Sequence, residues 1–554
     1  MADFELPLGK RSRFYRFFEM LPAILSYGAF VLLIVLSIFS PLLAAIYLLL
    51  IIITLLVRSV LIAYDTLRGH SRLMKAQKVD WLARLMDLED PEASYEAQKE
   101  QVATAYGRLQ HVENLRLAAA DPAAFPKPTD VYHLIIVAAY NEPYEVLEPT
   151  LQSVADSHYD KKKYVVALAY EERGGAEIAK TAERLQKKFK DVFLDFVPIK
   201  HPRDLPNEVV GKGGNITYAG EQMQAWFDER DILYKNVIVT TLDSDNRPHP
   251  SYFSYTTYEF VTNEDRKHLA FQPIALFFNN IWDAPAPMRV VATGNTFWNI
   301  ISSMRPHIMR NFASHSQPMD ALVEMDWWSK RSIVEDGHQF WRSYFYFNGN
   351  YSVHPVYIPI YQDAVMDVTY WKTLKAQFIQ LRRWMYGASD IPYIASHVFS
   401  KKRTVPFIPA FVWFIRALDG YVTAASVSII VAVGGWVPLL LNSEAYRDIV
   451  AHQLPDAISI IQRVALVGLL LMVFLALKML PPRPARYKRH RTIGMVLQWF
   501  LMPVAAIVFL SFAALNAQAR LFFGRYLTKF DVTKKATVAE KERARLKRKA
   551  AKRA

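Results

Sequence analysis

The sequence of 554 residues contains no cysteine, and this absence excludes several kinds of chemistry. It rules out a disulfide framework, thiolate metal sites and cysteine nucleophiles, so any zinc site would need histidine and carboxylate ligands. Redox chemistry therefore gets little support. A P-loop is missing too, because the glycine-rich stretch Gly211-Lys212-Gly213-Gly214-Asn215 has neither the spacing nor the Lys-Ser/Thr ending of that motif. An ATPase or GTPase is thus rejected.

Charged residues are absent from several long apolar stretches. Residues 21–57 carry none and are too long for one membrane span of roughly 20 residues, so we expect Pro41 to begin the second helix of a two-span hairpin. The segment 405–415 is shorter and contains two prolines near its start, which favours an interfacial helix. Three later charge-free stretches predict three further spans, at residues 420–441, 464–477 and 492–519.

The formal net charge of +14 lies mostly beside these apolar stretches. Basic residues flank the hairpin on both sides, which places both of its ends in the cytoplasm. The loop 483–491 and the Lys/Arg-rich end of the chain also fit the cytoplasm, although five spans would put that end outside, so the count is five or six. We expect a multi-pass plasma-membrane protein with a cytoplasmic domain. A nucleic-acid partner is not expected, because no recognition motif accompanies the charge.

The middle of the chain has a different pattern. Short β-type runs at residues 133–139, 164–170, 192–197 and 236–242 alternate with helical stretches, which predicts an α/β sheet. We therefore expect five regions: a transmembrane hairpin at 1–64, a helical linker at 65–128, an α/β domain at 129–400, an interfacial helix with transmembrane helices at 401–527, and a basic cytoplasmic tail at 528–554.

Two carboxylates, Asp243 and Asp245, directly follow the last of these β runs. The carboxyl edge of such a sheet is where ligands of open α/β folds bind. A pair of this kind can hold Mg²⁺ or Mn²⁺, with the remaining metal positions left to phosphate oxygens of a substrate. Taken alone, the same residues would more often cap a helix or form an Asx turn.

Two loops could contact a nucleotide. The segment Tyr140-Asn141-Glu142-Pro143 follows the first β run, where a tight polar turn can offer donors to a base or phosphate; an ordinary strand-to-helix connection is equally compatible. Around Lys212, flexible glycine backbone beside a cation suits a diphosphate, and the plain alternative is a surface turn.

Two further motifs lie nearer the second apolar block. Glu335 and Asp336 form an acidic pair about ninety residues after the first, and one of them could deprotonate a hydroxyl nucleophile. In the helical stretch Gln380-Leu381-Arg382-Arg383-Trp384, arginine could neutralise a departing diphosphate and tryptophan could stack on a sugar ring. The alternatives are a solvated helix start for the first and an interfacial Arg/Trp anchor for the second.

These motifs follow one another in a fixed order: the hairpin, YNEP, GKGGN, DSD, VED, QLRRW and the later spans. In this order the chain resembles the family 2 glycosyltransferases of the GT-A fold, in particular the membrane branch of cellulose, hyaluronan and chitin synthases. The resemblance covers residues 131–390 by motif. It implies a GT-A domain inserted between transmembrane segments and an inverting, metal-dependent transfer from a nucleotide-diphosphate sugar, first of all a UDP-sugar, to a growing polysaccharide.

The resemblance also implies roles for individual residues. Asp336 would be the catalytic base, and Asp243 and Asp245 would hold the metal ion. The donor would contact Tyr140, Asn141, Glu142, Glu171, Lys212, Asp243 and Arg383. The donor diphosphate and the acceptor would contact Glu335, Gln380 and Trp384. The element Phe530-Asp531-Val532-Thr533-Lys534 resembles the FxVTxK gating-loop motif of cellulose synthases.

Two departures and two alternatives accompany this interpretation. The chain has Glu171-Glu172 where the family usually grips the base with an aspartate, and Val334 where it has threonine before Glu-Asp. The first alternative is non-processive transfer of one sugar to a lipid-linked acceptor. The second is a non-enzymatic transporter with a nucleotide-sugar-sensing domain, against which no charged pair lies in mid-span.

Overall fold

The computed structural model describes residues 5–100, 105–443 and 470–528, together with the single positions 453, 456, 459, 460, 463 and 540. The chain divides into two compact units. The first comprises residues 1–8, 68–279 and 298–363, and the second comprises residues 9–67, 280–297 and 364–554.

The first unit is built on an eight-stranded sheet. Its strands are β1 (Tyr132–Ala139), β2 (Tyr164–Glu171), β3 (Asp195–His201), β4 (Val237–Asp243), β5 (Arg247–Pro248), β6 (Leu269–Leu276), β7 (Ser316–Pro318) and β8 (Ser352–Tyr361). Their order across the sheet is β3-β2-β1-β4-β7-β6-β8-β5. Strand β1 pairs in parallel with β2 and with β4, β2 pairs in parallel with β3, and β6 pairs in parallel with β8. Strand β7 is antiparallel to both of its neighbours, and β5 is antiparallel to β8.

The helices up to the end of the sheet are α1 (Arg13–Phe39), α2 (Pro41–Ala76), α3 (Trp81–Met86), α4 (Pro91–Gln98), α5 (Arg108–Ala120), α6 (Tyr144–Ala155), α7 (Ala176–Phe189), α8 (Lys212–Asp228), α9 (Tyr252–Thr262), α10 (Ala286–Ser303), α11 (Met319–Glu324) and α12 (Glu335–Tyr346). The later helices are α13 (Tyr370–Met385), α14 (Asp390–Val398), α15 (Phe407–Val433), α16 (Val437–Leu441), α17 (Leu470–Met479), α18 (His490–Leu497), α19 (Met502–Ala505) and α20 (Phe512–Phe522). A π-helix, Ala506–Ser511, joins α19 to α20.

The four predicted β runs are confirmed as β1 to β4. Strands β1, β2 and β4 are buried along nearly their whole length, as expected for parallel strands covered by helices on both faces. Strand β1 lies between β2 and β4, so the chain leaves it first to one side and later to the other. The carboxyl ends of β1 and β4 therefore flank a topological switch point, where open α/β sheets bind ligands.

The second unit contains the apolar helices. In the part of the chain that the structure describes, four helical stretches are long and apolar enough to cross a membrane: Arg13–Phe39, Pro41–Ala76, Phe407–Leu441 and His490–Phe522. As predicted, Pro41 is the first residue of α2, a position where its missing N–H has no helical acceptor in any case. The predicted fold class, an α/β domain inserted in the sequence between apolar helices, is confirmed.

One expectation about the second unit is wrong. Residues 405–415 do not form a separate interfacial helix, because α15 continues from Phe407 through this segment without a break. Pro406 is the N-cap and Pro409 lies in the first turn, where neither proline interrupts a hydrogen bond. The predicted span at 464–477 lies only partly in the described residues, and Phe530-Asp531-Val532-Thr533-Lys534 lies outside them.

Candidate active site

The first unit brings Lys212 together with three of the predicted carboxylates. The Lys212 Nζ atom lies 2.9 Å from Oδ1 of Asp243, 3.1 Å from Oδ2 of Asp336 and 3.7 Å from Oε1 of Glu335. Asp243 lies 31 residues after Lys212 in the sequence, and Glu335 and Asp336 lie more than 120 residues after it. We call this group the acid cluster.

Each member of the acid cluster occupies the end of a regular element. Asp243 is the last residue of β4, Lys212 is the first of α8, and Glu335 and Asp336 are the first two of α12. The amino-terminal end of α12 carries the positive end of the helix dipole, which favours carboxylates in its first turn. The fold therefore directs these side chains to one place at the carboxyl edge of β4.

Burial and charge act in opposite directions on Lys212, whose side chain is only 7% exposed. Burial alone would lower the pKa of the ammonium group, but Asp243, Asp336 and Glu335 together raise it above the ordinary value. Lys212 is therefore a permanent cation at the centre of the acid cluster. Its positive charge is available to a phosphate as well as to the carboxylates.

The two neighbouring acids on α12 differ in environment. The Glu335 side chain is 3% exposed, and burial together with the charge of Asp336 raises its pKa to about 8. Among the described residues, its Oε2 atom has no hydrogen-bond partner. Glu335 therefore carries a proton at neutral pH, whereas the 19% exposed Asp336 is the acid that a substrate can reach.

His315, which sequence reasoning missed, lies behind Asp336. Its Nδ1 atom is 3.9 Å from Oδ1 of Asp336 and donates to the Phe312 carbonyl at 2.8 Å, while its Nε2 atom accepts from the Trp328 indole at 3.3 Å. Burial lowers the pKa of this histidine, so the imidazole is neutral. Only the recurrence of histidine near this stretch could have drawn attention to it.

Asp243 and Asp245 differ in accessibility as possible metal ligands. The Asp243 side chain is 36% exposed, whereas Asp245 is buried and its Oδ2 atom accepts the backbone N–H of Asp363 at 3.0 Å. No group of three or more histidine or acidic residues with metal-site geometry occurs among the described residues. The two aspartates nevertheless fit a hard cation that takes one or two carboxylates and completes its shell with phosphate oxygens.

The glycines beside Lys212 serve close packing. A Cβ atom on Gly213 would lie 2.4 Å from the Ser329 carbonyl oxygen, and one on Gly214 would lie 2.8 Å from Oε2 of Glu208. Asn215 fastens the same turn of α8 to β2, because its amide donates to the Ala169 carbonyl at 2.9 Å. Gly213 and Gly214 are thus buried in the first turn of α8, so the predicted flexible backbone and the alternative of a surface turn are both wrong for these two residues.

Two close contacts fix the conformation of the loop after β1. Oε2 of Glu142 accepts the backbone N–H of Tyr140 at 2.7 Å, while Asn141 is exposed. A Cβ atom on Gly174 would lie 1.8 Å from the Tyr140 carbonyl oxygen, so the loop after β2 approaches this one as closely as glycine permits. Gly174 is a second residue that the sequence did not single out.

Glu171, at the end of β2, belongs to a network of its own. Its Oε2 atom lies 3.2 Å from Nδ1 of His201, and the other ring nitrogen of His201 lies 3.1 Å from Oε2 of Glu208. Burial lowers the pKa of His201, but the two carboxylates more than offset this and raise it to about 9. An imidazolium thus links the ends of β2 and β3 to the loop before α8.

The turn that leads into α12 has an unusual backbone. Asp326 and Trp327 adopt φ angles of 58° and 56°, a left-handed conformation that is costly for residues other than glycine. Arg342 holds this turn by donating to the carbonyls of Trp327 at 2.7 Å and Met325 at 3.1 Å. Glu5 lies 3.2 Å from Arg342, so the amino-terminal segment braces the same turn.

Gln380, Arg383 and Trp384 lie in α13, which belongs to the second unit. All three are partly buried, and Oε1 of Gln380 accepts from the Gln377 amide at 3.0 Å. Their predicted contacts with a donor diphosphate and an acceptor remain predictions.

No family model and no curated protein matches the chain. Among solved structures, it is similar to the mannosyltransferase PcManGT from Pyrobaculum calidifontis in complex with GDP-Man and Mn²⁺, with 14% identity, a TM-score of 0.40, and coverage of 84% of this chain and 100% of that one. It is also similar to S. aureus TarS 1-349, with 14% identity, a TM-score of 0.29, and coverage of 59% and 92%. The same fragment in complex with UDP-GlcNAc gives 12% identity and a TM-score of 0.28. Similarities this weak establish neither a family nor a function.

Proposed function

We propose that the chain is an inverting, membrane-embedded glycosyltransferase of the GT-A type, which transfers a sugar from a nucleotide-diphosphate sugar. The acid cluster is the observation that carries this proposal. It combines an accessible carboxylate, Asp336, with a buried cation, Lys212, and a second carboxylate, Asp243, at the switch point of the sheet. A base for the acceptor and countercharges for a diphosphate are the groups that such a transfer needs.

In this mechanism the acceptor hydroxyl attacks the anomeric carbon of the donor while Asp336 takes up its proton. The new carbon–oxygen bond forms as the bond from the anomeric carbon to the diphosphate oxygen breaks, and the nucleoside diphosphate leaves with the electron pair. A single displacement of this kind inverts the configuration. Glu335 is a poor candidate for the base, because its raised pKa keeps it protonated at neutral pH.

Lys212 would exchange part of its contact with the carboxylates for the donor phosphates. Its ammonium group lies between Asp243 and Asp336, the residues on the donor side and the acceptor side of the proposed reaction. Because the ammonium group is shielded from solvent, it interacts strongly with the negative charge that develops on the leaving diphosphate.

Mg²⁺ or Mn²⁺ is the cofactor that this proposal includes. Asp243 and Asp245 would hold it, with Asp243 as the more accessible ligand. When bound, the ion would supply further positive charge beside the diphosphate.

The acceptor belongs with the membrane helices in this proposal. Two features support a growing polysaccharide as the acceptor: the motif Gln380-Leu381-Arg382-Arg383-Trp384, and the helices among the described residues that are long enough to span a bilayer. A UDP-sugar is the first donor to test. The basic loop 483–491 supports a cytoplasmic catalytic domain in the plasma membrane.

The experiment is a donor panel with the purified chain in lipid nanodiscs, with Mg²⁺ or Mn²⁺ and a membrane extract as the source of acceptor. Release of nucleoside diphosphate is the readout. We expect one donor to turn over and Asp336→Asn to lower its rate by about 10²- to 10⁴-fold, the range for loss of a general base.

Asp265→Asn is the matched control, because Asp265 is an exposed aspartate of the same unit that pairs with His268 outside the acid cluster. This variant should turn over the same donor at the wild-type rate. If no donor is consumed by the wild type, or if Asp336→Asn is as active as the control, the transferase proposal is wrong.

A further inference from the structure

The second unit contains a group of arginines that outnumber the acidic residues paired with them. The segment 480–491, which comprises the loop between α17 and α18 and the first two residues of α18, contacts the segment just before α10. Arg491 donates to the Trp282 carbonyl at 2.9 Å, and the Trp282 indole donates to the Pro481 carbonyl at 3.0 Å. These contacts hold the basic loop and the start of α10 together.

Asp283 is the acid at this junction. Both of its carboxylate oxygens accept from Arg486 at 2.8 Å, and the Tyr487 hydroxyl donates to the same carboxylate at 2.5 Å. The charge of Asp283 is therefore matched by Arg486. A single nitrogen of Arg486, Nη2, makes both contacts, so the pair is charge-assisted but is not a fork of two parallel hydrogen bonds from two nitrogens.

Arg289 and Arg491 have no comparable partner. Arg289 is 3% exposed, donates to the Gln498 side chain and donates to the Ala284 carbonyl at 2.8 Å, and both acceptors are neutral. No carboxylate lies within 4.0 Å of Arg289 or Arg491 in the part of the chain that the structure describes. The Nε atom of Arg491 is buried and has no hydrogen-bond partner among these residues.

A guanidinium group without a counter-charge is costly to bury, and Arg289 is such a group, whereas Arg491 is half-buried and its guanidinium lies 5.1 Å from the centre of the Tyr487 ring. Burial lowers the pKa of Arg289 to about 10, and the neighbouring Arg491 lowers it further in the same direction. Buried charges are normally paired, because an unpaired ion loses its hydration without compensation. An anion placed between the two arginines would remove this penalty and accept the unused Nε–H.

The surroundings indicate which anion can reach the site. Helix α18 begins at His490, at the start of a stretch long enough to span a membrane, and Ile493, Leu497 and Phe500 expose 61%, 55% and 83% of their surfaces near Gln498. Apolar side chains this exposed beside a basic loop are typical of a membrane boundary. The headgroup phosphate of a lipid lies at such a boundary.

We propose that Arg289 and Arg491 bind the phosphate of an anionic phospholipid headgroup. The bidentate fork of Arg491 supplies donors that fit phosphate oxygens, and the buried Arg289 supplies a second positive charge. The site goes beyond the proposed transfer reaction and does not depend on it, because none of its residues belongs to the acid cluster.

The test is native mass spectrometry of the full chain, released from nanodiscs that contain phosphatidylcholine with or without phosphatidylglycerol. The wild type should retain phosphatidylglycerol in preference to phosphatidylcholine. Arg491→Gln should lower the affinity about tenfold or more, the loss expected for a hydrogen-bonded charged contact. Arg491→Lys, which keeps the charge without the planar fork, should give an intermediate loss.

Arg483→Gln is the matched control. It removes one positive charge from the same segment, but Arg483 is exposed and donates to the Thr492 hydroxyl at 3.3 Å. Its phosphatidylglycerol retention should stay close to that of the wild type, whereas diffuse attraction to an anionic surface would weaken equally in both Gln variants.

Three results would overturn the proposal. The first is a wild type that retains both lipids equally, a comparison that needs no variant to fold. The second is an equal loss in Arg483→Gln and Arg491→Gln, which would show surface attraction only. The third is displacement of phosphatidylglycerol by an equal concentration of inorganic phosphate, which would make the site a free-phosphate site.

Discussion

Replacement of Lys212 by methionine should destabilise the protein in a pH-dependent way. Methionine has a similar length but no charge, so the variant leaves Asp243, Glu335 and Asp336 close together without a cation. Each contact of Lys212 at 2.9 and 3.1 Å is worth on the order of 5 kcal/mol at an effective dielectric constant of about 20, and burial of the ammonium group offsets much of this. The net loss expected at pH 8 is about 3–5 kcal/mol, the usual cost of removing one partner of a buried ion pair.

At pH 5 the loss should be smaller, because the carboxylates of the variant can take up protons and relieve their mutual repulsion. Thermal unfolding of the detergent-solubilised chain, followed by intrinsic fluorescence at both pH values, measures the difference. Lys180→Met is the control, since Lys180 is an exposed residue whose pair with Glu177 lies on the surface of α7. The reasoning is refuted if Lys212→Met unfolds at the control's temperature, or if its deficit is the same at pH 5 and pH 8.

Three more predictions concern stability. His201→Asn should lower the free energy of unfolding by up to about 3 kcal/mol, because the pKa of His201 is raised from 6.5 to about 9 in the folded protein. This stabilisation is complete below pH 6.5 and is lost as the pH rises through 9. The difference in melting temperature between the variant and the wild type should therefore close between about pH 6.5 and 9.5. Glu335→Gln should have a higher melting temperature than the wild type at pH 9 and the same melting temperature at pH 4.5. The reason is that a glutamate whose pKa is raised to about 8 destabilises the folded wild type as the pH rises from 4.5 to 8. An equal difference in melting temperature at both pH values would contradict this. Gly174→Ala should cost more than about 2 kcal/mol because its Cβ would meet the Tyr140 carbonyl oxygen, whereas Gly294→Ala, with nothing within 4 Å, should not destabilise; similar melting temperatures for the two would argue against the close approach.

Much of the fold could be predicted because its signals are local. Strands β1, β2 and β4 are continuous apolar runs of the length that buried parallel strands require, and Pro41 marks a helix start by its own covalent chemistry. The position of Asp243 after β4 also follows from the sequence alone. The prolines near Phe407 misled the same reasoning, because a proline in a first turn and a proline that ends a helix look alike until the residues before it are placed.

The members of the acid cluster, Lys212 included, were predictable from the sequence, but their geometry was not. Asp243, Glu335 and Asp336 stand in recognisable motifs, but their meeting around Lys212 depends on the packing of α8 and α12 against the sheet. His201 and Glu208 gave no sequence signal, because His201 pairs with Glu171, which lies 30 residues before it, and this contact forms only when β2 and β3 lie side by side. Gly213 and Gly214 indicated flexibility, whereas the structure uses their missing Cβ atoms for close contact.

The central claim is that Asp336 acts on the acceptor while Asp243 belongs to the donor side, and one measurement tests it most directly. Equilibrium binding of the active nucleotide sugar, with Mg²⁺ or Mn²⁺, is compared with turnover in Asp336→Asn and Asp243→Asn. Our account predicts that Asp336→Asn binds the donor within a few-fold of wild type while turnover falls by about 10²-fold or more, and that Asp243→Asn loses binding as well. A variant Asp336→Asn that turns over the bound donor at the wild-type rate would contradict the account.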